Sequence, residues 1–307
     1  MNNIIKTIEN SKHIVVAVDI NPSVDSLASA SALYTYFLTI HKKVSFFSLK
    51  EHMDKNLFCI PWIDKVRTSF PSSADLMIVS GCSNLDKIGI EIKCDIINID
   101  NNHKNTKYGV VNHIQTNAKS IVSIVYDFFI DNNIKINQKI ATSIYAGMLS
   151  SSNGFIDDNV DGMFFAIISQ LINLGANYKL CNKNLQKYRT LAELRLKAIM
   201  FSKMELFNDG KVVFFIVTED DFKLSGAILE NTKSILEEGL YLPTTKVSVV
   251  LSENRCFLLS DSSIDVSLIS KEFFGDGDIV RASFKVNNVI PLEKIKNKIL
   301  KLIDKEI

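Results

Sequence analysis

Residues 14–33, IVVAVDINPSVDSLASASAL, decide the fold. Ile14-Val15-Val16-Ala17-Val18 is an uninterrupted apolar, mostly β-branched run with no polar face to show to water, which predicts a buried strand of a parallel sheet. The run ends at Asp19. Asn21-Pro22-Ser23 reads as a turn, because Pro22 keeps the residue before it out of the helical region, and Asp25 or Ser26 can cap the helix that follows. That helix is expected from about residue 26 to residue 40 and packs through Leu27, Ala30, Ala32, Leu33, Phe37 and Leu38. Short polar side chains are thereby expected at the carboxyl end of a parallel strand beside a helix N-terminus, where open α/β sheets bind ligands.

Outward from this unit, residues 1–12 predict a short leading helix and residues 43–49 (KVSFFSL) a second strand, completing a βαβ unit. Residues 58–66, with Pro61 and Trp62, read as a connection or short helix. Residues 76–79 predict a third strand and 95–99 a fourth, with Asp100-Asn101-Asn102-His103 at its end. Apolar spacing predicts helices over 120–130, 138–149 and 163–174, the last stopped at Gly175. Residues 185–206 are long, charged and periodic. A second βα pattern opens at 211–217, followed by a hairpin over 246–251 and 256–259, a helix over 264–274, a strand over 281–286 and an amphipathic helix over 292–307. The fold class is therefore α/β, with a larger parallel-sheet domain over 1–185, a helical linker over 186–207 and a smaller α/β domain over 208–307.

Composition narrows the functional classes. At 307 residues the chain is long for one domain, and 47% hydrophobic against 22% charged residues supports packed cores rather than disorder. Lys and Arg number 35 against 34 Asp and Glu, so no bulk charge draws the protein to nucleic acid. Cys59, Cys82, Cys94, Cys181 and Cys256 are scattered without a CxxC pair and read as reduced thiols. The opening MNNIIKTIENSKH lacks the apolar centre of a signal peptide, and no stretch approaches the roughly 18 apolar residues of a membrane span. A cytoplasmic protein with no membrane partner is expected.

Several stretches share an order. The first strand ends at Asp19 and leads into Asn21-Pro22-Ser23-x-Asp25-x-x-Ala28-Ser29. Asp100-Asn101-Asn102 ends the fourth strand, with Asn105 to Gly109 (NTKYG) after it. Gly147-Met148-Leu149-Ser150-Ser151-Ser152 follows, and Gly275-Asp276-Gly277-Asp278 lies in the second domain. Together they resemble the DHH phosphoesterase superfamily, RecJ-like and of the oligoribonuclease and 3′,5′-bisphosphonucleotide phosphatase type. The C-terminal half resembles the associated DHHA1 domain.

The resemblance implies a pair of catalytic metal ions held by His at 19, Asp at 23, 25, 81 and 151, and Asp-His-His at 100–102. This chain keeps Asp19, Asp25 and Asp100 as metal candidates and has lost ligands at Ser23, Gly81 and Ser151. Asp100, Asn101 and Asn102 fill the motif positions, and no catalytic residue is assigned among them. In the second domain the resemblance places a Gly-Gly-Gly-His signature at 275–278 and an Arg at Leu259, implying substrate-binding roles for Asn102, His103, Gly275, Gly277, Asp278 and Arg281. Two carboxylates and a leucine at those positions repel a phosphate, offset in part by Arg281 and Lys285.

The chemistry can be weighed apart from the resemblance. Two cations about 3.5–4 Å apart need several anionic or imidazole ligands to balance their charge. Asp19, Asp25 and Asp100 suffice for one weakly held ion at most. Each also has a plainer reading: Asp25 and Ser26 as helix caps, Asp19 and Asp100 as strand-end loop residues, His103 as an exposed loop histidine, and 275–278 as a turn. A phosphoesterase-like protein without activity follows, acting by binding a nucleotide, phosphate or short RNA ligand or a protein partner, with no resident cofactor and homodimerisation left open. The alternative is an active enzyme rebuilt around one Mn²⁺ or Mg²⁺ at Asp19, Asp25, Asp100 and His103.

Overall fold

The computed structural model describes residues 2–157, 160–287 and 289–306. Residues 1 and 307, the outer ends of two expected helices, lie outside them. The chain forms two compact units, Met1–Tyr188 and Arg189–Ile307.

The first unit is built on β1 (His13–Ala17), every residue of which is buried. Helix α1 (Asn2–Asn10) precedes it, and α2 (Val24–Thr39), β2 (Lys43–Phe47), β3 (Val66–Arg67), β4 (Leu76–Ser80), β5 (Asp95–Asp100) and β6 (Val111–Ile114) follow. The sheet runs β3-β2-β1-β4-β5-β6 with every pair parallel. Strand order reverses between β1 and β4, so the connections leave those two strands in opposite directions and open a crevice at their carboxyl ends. Strands β3 and β6 escape sequence reading because they are short edge strands without an apolar run.

Alternation along β1 sorts its side chains to two faces. Ile14, Val16 and Val18 face the helices, while Val15 and Ala17 join Phe47, Met77 and Val79 beneath the irregular segments that follow β2 and β4. Each of the larger of these side chains, fully buried, stabilises the unit by about 1.5–3 kcal/mol. The helical face carries α3 (Ile121–Asp131), α4 (Gln138–Ser151), α5 (Gly162–Asn173) and α6 (Tyr178–Asn182).

Helix α2 starts earlier than its composition suggests. Ser23, not Asp25 or Ser26, is the N-cap, its hydroxyl accepting from the Ser26 backbone N–H at 3.0 Å. The small residues of α2 let α4 approach closely. Ser31 and Ser143 meet hydroxyl to hydroxyl at 2.8 Å, and a Cβ on Gly147 would lie 2.9 Å from Val122 and 3.1 Å from Ala28.

The second unit begins with α7 (Leu191–Ser202), then β7 (Glu205–Phe207), β8 (Val212–Val217), α8 (Glu219–Ser225), α9 (Thr232–Gly239), β9 (Val247–Ser252), β10 (Arg255–Ser260), α10 (Val266–Lys271), β11 (Asp276–Gly277), β12 (Arg281–Lys285) and α11 (Leu292–Glu306). Where a linker over 186–207 is expected, α7 buries Leu196 and Met200 in this unit's core and the chain then enters β7. The periodicity extends further than the helix because Glu205–Phe207 pairs antiparallel with β8. The expected helix over 264–274 is cut to α10, ending before a turn in which Phe274 takes a positive φ of 57°. The sheet runs β11-β12-β10-β9-β8-β7 and is antiparallel except between β8 and β9. Among the described residues no helix is long and apolar enough to cross a membrane.

Candidate functional site

At the carboxyl edge of the first sheet, Asp25 leaves the first turn of α2 and reaches α3. Its carboxylate accepts from the backbone N–H groups of Ile121 at 2.8 Å and Val122 at 2.9 Å, supplying two orphan donors of that helix with an anion at its positive end. Asp25 therefore does cap a helix, though another than its own. Burial pushes its carboxyl up to about 6, the two N–H bonds resist this, and the Asp100 charge nearby adds to the rise.

Asp100, last residue of β5, is buried and also committed. One carboxylate oxygen accepts from the Asn101 N–H at 2.9 Å and the other from Asn105 Nδ2 at 2.7 Å. Asn105 in turn accepts from Asn98 at 2.8 Å and donates to the Cys82 carbonyl at 3.2 Å, which also takes the Tyr108 hydroxyl at 2.8 Å. The NTKYG segment is thus a strap that folds back under the strand end. Burial, with the charges of Asp100 and Asp19 adding to it, holds the Tyr108 phenol protonated.

Gly81 follows β4 with φ of +70°, a conformation other residues adopt reluctantly. A Cβ there would collide with Ser26 Oγ and with Cδ1 of Ile121. The space at this position, where the resemblance implies a ligand, is filled by neighbouring side chains.

The remaining expected positions scatter around this edge. Asp19 accepts from the Asn21 N–H at 2.8 Å in a local turn. Ser23 is spent on its cap. Asn101 donates to the Ala118 carbonyl at 3.2 Å, while Asn102 and His103 lie exposed in the turn after β5. Ser151, at the end of α4, turns back to the Met148 carbonyl. Among the described residues no three His, Cys, Asp or Glu side chains gather to hold a metal ion. With both oxygens of Asp25 and of Asp100 engaged and the Gly81 position closed, the residues present do not fit a pair of divalent cations. Beside α3 a cavity of about 620 Å³ opens between Gln115, Asn117, Asp127, Met148 and Met163, bordered by the Lys119–Asp161 ion pair at 2.7 Å.

The second unit holds a pocket of about 390 Å³ between α9 and the exposed face of β10 and β12. Of the residues expected to hold substrate, Gly277 and Arg281 line it. Gly275 packs instead against Ser270 and the β12 backbone, and Asp278 accepts from the N–H groups of Val280 and Arg281 at 2.8 Å. Arg281 reaches Glu237 at 3.0 Å. Leu259 is in the wall, accompanied by cations that the motif pattern does not mark, Arg255 and Lys233. Both lie over the Phe257 ring, 5.6 and 5.7 Å from its centre. Period-two alternation along β10 puts Arg255, Phe257 and Leu259 on one face, a signal present in the sequence. Lys233 comes from α9, which the apolar pattern does not reveal.

Residues 13–148 match the DHH family, N-terminal domain. The probable bifunctional oligoribonuclease and PAP phosphatase NrnA of Streptococcus mutans is 22% identical over 187 residues, covering 59% of this chain and 59% of that protein. The crystal structure of an exopolyphosphatase-related protein from Bacteroides fragilis matches with a TM-score of 0.86 at 17% identity, over 99% of this chain and 95% of that one. RecJ from Thermus thermophilus in complex with Mn²⁺ matches with a TM-score of 0.56 at 10% identity, over 99% of this chain and 54% of that one.

Proposed function

We propose that the protein, whose residues 13–148 match the DHH family, N-terminal domain, is a phosphoesterase-like binder that has given up two-metal hydrolysis. One observation carries this reading: the Asp25 carboxylate holds the N-terminus of α3 while Ser26 and Ile121 close the space at Gly81. A ligand set already engaged in holding the fold is not free for metal, since stripping Asp25 from Ile121 and Val122 would strand two donors. The ligand is of the phosphorylated nucleotide or short RNA class, the class named for the Streptococcus relative. The same reading includes a cytoplasmic setting, in keeping with five free cysteines. Homodimerisation and a protein partner stay within it.

The alternative, an active phosphoesterase for short oligoribonucleotides or 3′,5′-bisphosphonucleotides, is favoured by a single feature. Asp25 and Asp100 lie near enough to raise one carboxyl, and a lone Mn²⁺ or Mg²⁺ would relieve that repulsion. The test is metal content after purification in Mn²⁺, with hydrolysis of short RNA, 3′,5′-bisphosphoadenosine and a chromogenic diester. No bound Mn²⁺ and no turnover are expected. Manganese-dependent turnover that disappears in Asp25→Ala would overturn the reading.

A further inference from the structure

We propose that the cavity beside α3 is a nucleobase site that reads guanine through the Asp127 carboxylate. The inference deepens the ligand-binding reading above and rests on its ligand class, a phosphorylated nucleotide or short RNA. Asp127 lies at no position of the resemblance.

Three elements build the cavity: the segment joining β6 to α3, the outer face of α3 and the start of α5. Of the two described carboxylates that line it, Asp161 is already engaged. It takes the Lys119 ammonium at 2.7 Å and caps α5 by accepting from the Phe164 N–H at 2.8 Å. Asp127 has no hydrogen-bond or ion-pair partner among the described residues. It sits one turn beyond Ser123 on α3, and both residues line the cavity. Partial burial and the charge of Asp131 push its carboxyl above the ordinary value, so a group that donates to it stabilises the ionised form.

An ionised carboxylate only accepts, and its two oxygens match two parallel N–H donors. Guanine presents that pair, N1–H and the N2 amino group, on one edge, with O6 beside them as an acceptor. The Asn117 side chain lines the same cavity with an amide that makes no hydrogen bond among the described residues, and its Nδ2 is free to donate to O6. Adenine sets an acceptor nitrogen beside its amino group, which a carboxylate repels. A plain amine or guanidinium would satisfy Asp127 but leave the amide and the walls unused. Those walls are apolar and suit a flat ring. Met148 and Phe164 are buried, whereas Met163 is 71% exposed at the start of α5. A flexible thioether left bare beside a cavity gains contact when a ring lies against it. At about 620 Å³ the space lies within the usual range for small-molecule sites and holds a base together with its sugar.

The test is calorimetric titration of the full chain with 5′-GMP, 5′-IMP, 5′-AMP, 5′-XMP, ribose 5-phosphate and agmatine, on the wild type, Asp127→Asn and Met163→Ala. The wild type is expected to bind 5′-GMP with a Kd below about 1 mM, about tenfold tighter than 5′-IMP, which lacks the N2 amino group, and to bind 5′-AMP more weakly still. Asp127→Asn replaces one accepting oxygen by an amino donor. In that variant 5′-GMP is expected to weaken about tenfold and 5′-XMP, which carries a carbonyl at C2, to tighten about tenfold over its wild-type value. A loss of folding cannot imitate that exchange. Met163→Ala is expected to weaken 5′-GMP about two- to tenfold with the base preference kept. No binding of 5′-GMP, or 5′-AMP or ribose 5-phosphate binding as tightly, would overturn the base reading, and agmatine binding as tightly would overturn it in favour of a plain cation site. A preference unchanged in Asp127→Asn would overturn the placement. Metal-dependent turnover in the earlier assay would instead overturn the inactive reading and leave the Asp127-dependent preference standing, so the two failures are told apart.

Discussion

Gly81 shows how one residue separates a fold from its chemistry. The backbone there is left-handed, and a side chain would strike Ser26 and Ile121. Restoring the acid that the resemblance places at this position, Gly81→Asp, is therefore expected to destabilise the protein by about 2–4 kcal/mol, from overpacking together with strained φ. Urea denaturation checks the loss, and Mn²⁺ titration of the same variant is expected to show no gain in binding. Asp25 carries the complementary lesson. Its identity is legible in the sequence as a cap or as a ligand, and its structural partners are Ile121 and Val122, nearly a hundred residues away along the chain. No local pattern encodes that partnership.

At the scale of elements, α8 is pinned by a capping box in which Thr218 and Asp221 satisfy each other's backbone N–H groups. Lys203, beyond the end of α7, adds an ion pair to Asp221 at 2.7 Å. Burial works against the ionised Asp221 carboxyl, but Lys203 and the Thr218 bonds outweigh it and set its pKa below the ordinary value. A carboxyl lowered in the folded state contributes stability that is complete above its unfolded pKa and is lost as pH falls through the folded one. Asp221→Asn is expected to cost about 1–3 kcal/mol near pH 7 and progressively less as pH falls below the ordinary carboxylate range. Thermal unfolding of both proteins across that range measures the convergence. Helix α8 escapes sequence reading because most of its residues are polar, and only Phe222 among them packs against the core.

For the whole molecule, charge balance decides what kind of nucleic-acid ligand is feasible. With 35 basic against 34 acidic residues the net charge supplies no bulk attraction, so the RNA binding proposed above would draw on a few local cations. Two phosphate contacts on a single strand give a slope of log K against log salt of about −1.4. Fluorescence anisotropy with a short oligoribonucleotide at several salt concentrations is expected to give a slope near that, and a slope beyond about −4 would indicate a wider basic surface.

The parallel sheet and its helices were legible because an apolar run without alternation has nowhere stable to go except the middle of a covered sheet, and Ile14–Val18 is such a run. The order of polar motifs marked the strand ends in the same way, since ligating and capping residues fall where strands stop. What the chain order could not convey is which of those polar groups remain available. That depended on Asp25 meeting α3, on Asn105 folding back to Asp100, and on Ile121 filling the space at Gly81. Hydrogen bonds and collisions between residues distant in sequence are products of packing, so only the folded molecule could assign them.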